Sequence, residues 1–179
     1  MTLFLSIQQQ YILDVLRKLG VVRKDQLHTL VRGKFQRPNF EVNAARMEAM
    51  LRQLRAGLGE FCTDGDFVYL ARGQPDALRL EAIDVMLELS EGAPQDFNAR
   101  LDSPRLLRFA IGGDKLRLFS VACLSDAADP TMIHQEKLER IVWISGSGTP
   151  PEQLALPSKH FFAARQQDGS HCFYGSNGP

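Results

Sequence analysis

The chain has little of what marks a secreted or membrane protein. Its three cysteines, Cys62, Cys123 and Cys172, are odd in number and far apart, which argues against a disulfide framework. Their apolar neighbours predict buried free thiols. No apolar run approaches the roughly 20 residues that cross a bilayer, and no basic stretch precedes the short apolar run at residues 3–5, so no signal peptide is expected. We therefore expect a cytoplasmic protein that does not contact a membrane.

Motifs of the common catalytic sites are missing as well. Neither GxxxxGK[ST] nor GxGxxG occurs, and Gly146-Ser147-Gly148 lacks the lysine and the following helix of a phosphate-binding loop. There is no GxSxG elbow, and the four histidines have no second ligand at a zinc-site spacing. No acidic residue stands two positions before a lysine, the pattern with which restriction-type nucleases hold Mg²⁺. The sequence predicts no enzyme, no metal and no cofactor.

Charge is balanced overall but unevenly distributed. The 21 basic and 21 acidic residues give a net charge of zero, yet residues 1–74 contain 11 Lys and Arg against 7 Asp and Glu, an excess of 4 positive charges. The remainder carries the opposite excess. Such a split favours two domains with different partners, the basic one facing a polyanion. Chance scatter of surface charge is the alternative interpretation.

Hydrophobic spacing predicts three helices and a hairpin in the first domain. Apolar residues recur every three to four positions in each helical segment, and Asp64-Gly65 is a strong signal for a two-residue hairpin turn. A polar, turn-rich segment at residues 32–39 separates the second helix from the third, with Asn39 as the expected N-cap. The predicted elements are helices at 6–20, 25–31 and 42–57 and strands at 61–63 and 66–70.

This order of helix, short link, helix, basic loop, helix and hairpin resembles the winged-helix superfamily. Residues 21–27 match the step into the second helix, and residues 51–57 match the usual end of the recognition helix. The resemblance implies a winged-helix domain at residues 1–74 that binds double-stranded DNA. Arginine, glutamine and asparagine are the side chains that reach base edges, while exposed cations contact phosphates. The candidate DNA-binding residues are Arg32, Lys34, Arg37, Asn43, Arg46, Arg52 and Gln53.

The residues at the predicted hairpin tip do not favour contact with DNA. Asp64 and Asp66 would be repelled by phosphates, so the hairpin is not expected to enter the minor groove. A winged helix without a basic hairpin can also serve as a protein-docking module. A protein-interaction scaffold, in which Arg46 and Arg52 pair with an acidic partner, therefore stays open beside DNA binding.

The second half predicts an α+β domain at residues 75–179. A helix at 76–89 is apolar over more than half its circumference, as expected for a joint between two bodies. Around it we expect a mostly antiparallel sheet of about five strands between residues 105 and 175, with one or two helices. The predicted strands are 106–111, 116–124, 140–144, 160–164 and 170–174, with a loop at 90–104, a break at 126–130, a short helix at 132–139 and a loop at 145–151.

The domain order as a whole resembles the replication-relaxation type of proteins found on bacterial plasmids and integrated elements. Beyond that order, the likeness rests on Gln26-Leu27 and on residues 51–57. It implies a non-catalytic DNA-binding regulator, or a replication or mobilisation accessory of a mobile element. In this reading the second domain regulates, or binds a partner protein or a second copy of the chain. A degenerate or atypical nuclease is the third alternative.

Overall fold

The structure, a computed structural model, describes residues 4–71, 73–113, 115–125, 130–147 and 156–175. It has an α+β fold in which helices and a small three-stranded sheet come first and a six-stranded mixed sheet follows. Among the helices of these ranges, none combines the length and the apolar character needed to cross a bilayer.

The described residues of the N-terminal half form three helices and three strands. They are α1 (Ile7–Leu19), β1 (Val21–Arg23), α2 (Lys24–Phe35), α3 (Ala44–Gly57), β2 (Phe61–Asp64) and β3 (Phe67–Leu70). β3 lies in the centre of the sheet and pairs antiparallel with both β1 and β2. The hairpin that follows α3 is thereby joined to the short link between α1 and α2.

The ends of α1 are set by local signals. The Ser6 hydroxyl accepts a hydrogen bond from the backbone N–H of Gln9, and the Gln9 side chain accepts one from the N–H of Ser6, which forms a capping box. Gly20 takes a φ of 85° and stops the helix. The predicted first helix is confirmed.

α2 is longer than predicted. The helix does not end at residue 31 but continues to Phe35, and only the short turn that pairs Arg37 with Phe40 separates it from α3. Gly33 lies inside α2, where an added Cβ would stand 2.1 Å from the carbonyl oxygen of Gly92. That glycine allows close packing and does not mark a turn. The N-cap of α3 is Asn43 and not Asn39.

In the described part of the second half there are one helix and six strands. They are α4 (Ala77–Leu89), β4 (Asp96–Asn98), β5 (Arg105–Ile111), β6 (Arg117–Cys123), β7 (Glu139–Ile144), β8 (His160–Arg165) and β9 (His171–Gly175). The strands lie side by side in chain order. β6, β7 and β8 are parallel to one another, whereas the remaining neighbours are antiparallel.

The sheet of this half was predicted in part, and two other predictions were wrong. Three of its five strand pairs are antiparallel, as expected, but it has six strands and is mixed, because the long connections after β6 and after β7 return the chain to the same end of the sheet. β4 lies within the predicted loop 90–104, and residues 132–139 form turns and the start of β7 instead of a helix. Residues 126–129 of the predicted break at 126–130 lie outside the described residues, and so do residues 148–151 of the predicted loop at 145–151.

α4 lies between the N-terminal helices and the six-stranded sheet. Ala82, Ile83, Val85 and Met86 are at most 1% exposed and belong to a hydrophobic cluster that runs continuously from α1 and α2 to one face of the sheet. This explains why the helix is apolar around most of its circumference.

The cysteines are free thiols, as predicted, but they are not buried. Cys62 and Cys123 are half-buried, and Cys172 is exposed. Cys172 lies on β9, the last strand at one edge of the sheet, so its side chain is not covered by another element. The apolar neighbours in the sequence did not reveal this edge position.

Candidate nucleic-acid interface

The positive charge of the first half is concentrated in one segment. Residues 32–56 contain six cations and two acids, an excess of 4, whereas the rest of residues 1–74 is balanced with five of each. All eight of these charged side chains are exposed. They are Arg32, Lys34, Arg37, Arg46, Arg52 and Arg55 with Glu41 and Glu48. The whole excess of residues 1–74 therefore comes from α2's last turn, α3 and the turn between them.

Arg32, Lys34 and Arg37 lie just before α3. Arg32 and Lys34 are in the last turn of α2, where cations complement the negative end of the helix dipole. Arg37 lies in the turn that follows, and its backbone exchanges two hydrogen bonds with Phe40 at 3.1 and 3.0 Å. This pairing fixes the backbone at Arg37 and leaves its side chain in solvent.

α3 has one buried and one exposed face, as its spacing predicts. Its buried face packs into the core through Met47, Met50, Leu51 and Leu54. At about 100° per residue, Arg52 lies roughly opposite this stripe. It shares the outer face with three small side chains, Ala45, Ala49 and Ala56. The centre of this face therefore carries short side chains, and the side chain of Arg52 extends beyond them.

Arg46 is held by an aromatic ring that sequence analysis did not identify. The guanidinium carbon of Arg46 lies 4.1 Å from the ring centroid of Phe40, a cation–π contact. Phe40 itself packs against the hydrophobic core. The only sequence signal is an aromatic residue in an otherwise polar turn six positions before an arginine. The contact positions Arg46 at the start of α3.

Asn43 and Gln53 make hydrogen bonds within the protein. The Asn43 side-chain oxygen accepts a hydrogen bond of 2.9 Å from the backbone N–H of Arg46 and so caps α3. The Gln53 side-chain oxygen accepts one of 2.9 Å from the amide of Gln9 on α1. A bidentate contact to adenine requires both the oxygen and the nitrogen of the amide. These bonds already use one lone pair of each oxygen and fix the orientation of both amides.

The other charged side chains of α3 have partners, whereas Arg52 has none among the residues that the structure describes. Glu48 lies 3.5 Å from the ammonium of Lys24, and Arg55 donates to the Thr63 hydroxyl at 3.4 Å. Arg52 makes no hydrogen bond, ion pair or ring contact within the described ranges. Its guanidinium group is therefore free to bind a ligand.

The hairpin between β2 and β3 adds no positive charge to this surface. Asp64 and Asp66 at its tip are both exposed, while the carbonyl oxygen of Asp66 accepts a hydrogen bond of 2.8 Å from the backbone N–H of Lys24. The tip is thereby tied to the start of α2. In the part of the chain that the structure describes, no three His, Cys, Asp or Glu residues are placed to hold a metal ion.

A buried charged cluster on three strands of the six-stranded sheet was missed by sequence analysis. The Glu139 side chain is 1% exposed and accepts hydrogen bonds from Ser120 at 2.5 Å and from Arg105 at 3.1 Å. Burial raises the pKa of Glu139, but Arg105 and Ser120 lower it by more, so its net pKa lies below the ordinary value. These bonds join β5, β6 and β7. Nothing near Glu139 in the sequence signals partners 19 and 34 positions away.

A polar cleft of about 580 Å³ lies between α2, α4 and the turn before β9. Arg23, one of its lining residues, donates to Asp84 of α4 at 2.6 Å and to Asp25 at 3.0 Å. Gln26 donates to the same Asp84 carboxylate at 2.8 Å. We assign these bonds a structural role, because they join the start of α2 to α4.

Comparison with known proteins finds no relative of this chain. No family model matches it, and neither do curated proteins or solved structures. The interpretation of the surface therefore depends on its charge and geometry.

Proposed function

We propose that residues 1–74 form a winged helix and that the protein binds double-stranded DNA with α3 without altering it chemically. The element order α1, β1, α2, α3, β2, β3 and the strand order β1-β3-β2 support the winged-helix assignment. The observation that carries the proposal is the concentration of the whole positive excess of residues 1–74 in the exposed segment 32–56. A polyanion is the partner that such a surface fits.

In the proposed complex, α3 enters the major groove, which is wide enough for an α-helix. Arg52 and Arg46 project from α3 towards the DNA, and Arg32, Lys34 and Arg37 contact the phosphates beside the groove. Each phosphate contact releases condensed counterions, which supplies much of the binding free energy and makes it depend on salt. The acidic hairpin tip stays outside the minor groove because its carboxylates are repelled there.

We extend the proposal to the rest of the chain on domain order alone. Residues 75–179 would act as a regulatory part or as the site that binds a partner protein or a second copy. The protein would serve as a regulator or as a replication or mobilisation accessory of a bacterial mobile element.

Salt-dependent binding to a short random-sequence duplex tests the DNA proposal. If six phosphates are contacted, affinity should fall about 10³-fold between about 50 and 200 mM salt. Arg37→Ala should weaken binding to all sequences and reduce the salt slope by about one. Arg17→Ala is the matched control, because Arg17 is an exposed arginine at the end of α1, outside the segment 32–56. Absence of binding, or equal effects of the two variants, would contradict the proposal.

A protein-interaction scaffold is the second candidate, and the acidic hairpin tip favours it. Asp64 and Asp66 are exposed beside a basic helix, an arrangement that suits a partner with charges of both signs. A scaffold would show no retention on duplex DNA at any salt concentration. Incubation of supercoiled plasmid with Mg²⁺ or Mn²⁺ separates both candidates from a nuclease, because only a nuclease would relax or linearise it.

A further inference from the structure

We infer that Arg52 alone reads DNA sequence at this site and that the preferred duplex carries a guanine where Arg52 enters the major groove. The inference rests on the proposed function and deepens it, because it names the base and the residue that selects it. It follows from a comparison of Arg52 with every other polar side chain that α3 presents.

Each alternative reader on α3 is held by another part of the protein. The oxygens of Asn43 and Gln53 accept hydrogen bonds from the Arg46 backbone and from Gln9. Arg46 lies on the Phe40 ring, and Arg55 donates to Thr63 of the hairpin. To read a base edge, any of these side chains would first have to give up an existing contact, and that loss would offset part of the gain.

Arg52 has no such contact to lose. Its guanidinium group is exposed and has no partner among the described residues. The residues three and seven positions before it and four positions after it are Ala49, Ala45 and Ala56, which lie on the same side of the helix. Because these side chains end at a methyl group, Arg52 is the longest side chain on the centre of the exposed face.

Guanine is the base that suits a free guanidinium group. Two of its N–H groups can donate in parallel to O6 and N7 of guanine, the commonest specific contact in the major groove. One such pair discriminates against the wrong base by about 5- to 150-fold. Arg32, Lys34 and Arg37 precede α3 and are placed for phosphates, so their contribution should be the same for every sequence.

Selection from a randomised duplex library, followed by affinity measurements on the selected duplex, tests the inference. The wild-type protein should enrich one guanine position, and replacing that G·C pair by A·T should weaken binding about 5- to 150-fold. Arg52→Ala should remove this discrimination, so that both duplexes bind equally. Arg32→Ala is the matched control, because it should weaken binding to both duplexes by the same factor and preserve their ratio.

A second measurement changes one atom of the DNA and compares the wild-type protein with Arg52 variants. Replacing the selected guanine by 7-deazaguanine removes the N7 acceptor while keeping the base pair. We expect weaker binding to this duplex for the wild-type protein and no change for Arg52→Ala. Arg52→Lys should retain binding with reduced discrimination, because an ammonium cannot donate as a planar fork.

Failure of the inference differs from failure of the proposed function. Salt-dependent binding without any base preference, or a guanine preference that survives Arg52→Ala, would overturn the role of Arg52 and leave DNA binding in place. No binding to any duplex at low salt would overturn both. A preference carried by adenine and lost in Gln53→Ala would assign readout to Gln53 and also overturn the inference.

Discussion

The Nδ1 atom of His171 on β9 lies 2.8 Å from a carboxylate oxygen of Glu88 on α4. Its other ring nitrogen faces the carboxylate of Glu81 at 3.5 Å, an ion-pair contact longer than a hydrogen bond of good geometry. The His171 side chain is completely buried. Burial lowers the pKa of His171, but the two carboxylates raise it by more, so the net pKa lies above its ordinary value.

This cluster predicts that stability falls as the pH rises. The contribution of charged His171 is fully present below about pH 6.5, its ordinary pKa, and is lost as the pH passes through the raised pKa. His171→Gln should lower the free energy of unfolding by about 3 kcal/mol at about pH 6, because it leaves the buried carboxylate of Glu81 without its cationic partner. The loss should be smaller at about pH 9.

Urea unfolding of both proteins across this range measures the difference. His134→Gln is the control, because His134 is exposed, and it should leave the pH dependence unchanged. Other charges near the cluster are Asp84 on α4 and Arg165 and Asp168 beside β9, which line the same cleft as Glu88. A difference between wild type and His171→Gln that is constant with pH would contradict the assignment.

His160 predicts a pH effect of the opposite sign. It is buried, and its Nδ1 accepts a hydrogen bond of 3.1 Å from the indole N–H of Trp143. Burial lowers the pKa of His160, the charge of Glu139 raises it and that of Arg105 lowers it, and the net pKa lies below the ordinary value. Its contribution to stability is present above the ordinary pKa of about 6.5 and is lost as the pH falls through the lowered value.

The fluorescence of Trp143 reports on the titration of His160, because Trp143 is the one tryptophan in the sequence. Protonation of Nδ1 would break the indole hydrogen bond, so we expect the fluorescence of Trp143 to change with a midpoint below about pH 6.5. His160→Asn supplies an acceptor that does not titrate and should abolish the transition. A midpoint at or above that pH in the wild-type protein would show that His160 is not the group responsible.

The elements that could be predicted from the sequence are those with signals within one turn or one strand. The Ser6 cap, the Gly20 stop and the Asp64-Gly65 turn each act on neighbouring residues, and the helices and hairpin that depend on them were found. The parallel order of β6, β7 and β8 depends instead on where long connections return, which leaves no local pattern. β4 has only three residues, too few to show a strand period.

The candidate site divides in the same way. The sequence identified which side chains of α3 are exposed, because the Met47 stripe fixes the opposite face. It did not show which of them are free, since the partners of Gln53 and Arg46 are Gln9 on α1 and Phe40 in a turn. Such contacts arise from packing between elements that are distant in the sequence. They distinguish the other polar side chains of α3 from Arg52, which has no partner among the described residues.

Gly33 gives a test of that packing. In an ordinary helix interior, alanine would stabilise the protein by up to about 1 kcal/mol relative to glycine. Here the added Cβ would meet the Gly92 carbonyl oxygen at 2.1 Å, and this contact joins α2 to the loop after α4. We therefore expect Gly33→Ala to destabilise the protein by about 1–3 kcal/mol in urea unfolding.

Gly59→Ala is the matched control for this substitution. A Cβ at Gly59 has no neighbour within 4 Å, and the residue does not have a left-handed φ. Its effect on the free energy of unfolding should be within about 0.5 kcal/mol. A Gly33→Ala protein more stable than wild type would show that α2 and the loop at Gly92 are not in close contact.

Two variants of Asn43 distinguish a structural role of this side chain from a direct contact with DNA. Asn43→Ala removes the N-cap and should cost about 1 kcal/mol, whereas Asn43→Ser keeps a capping oxygen and should be close to neutral. If the Asn43 side chain only caps the helix, Asn43→Ser will bind duplex DNA with wild-type affinity and salt slope. If the side chain reads a base, Asn43→Ser will lose affinity although its stability is unchanged, because serine is too short to form the bidentate contact of an amide. Comparing urea unfolding with binding in the same two variants therefore distinguishes the two roles, and we expect the loss of binding to follow the loss of stability.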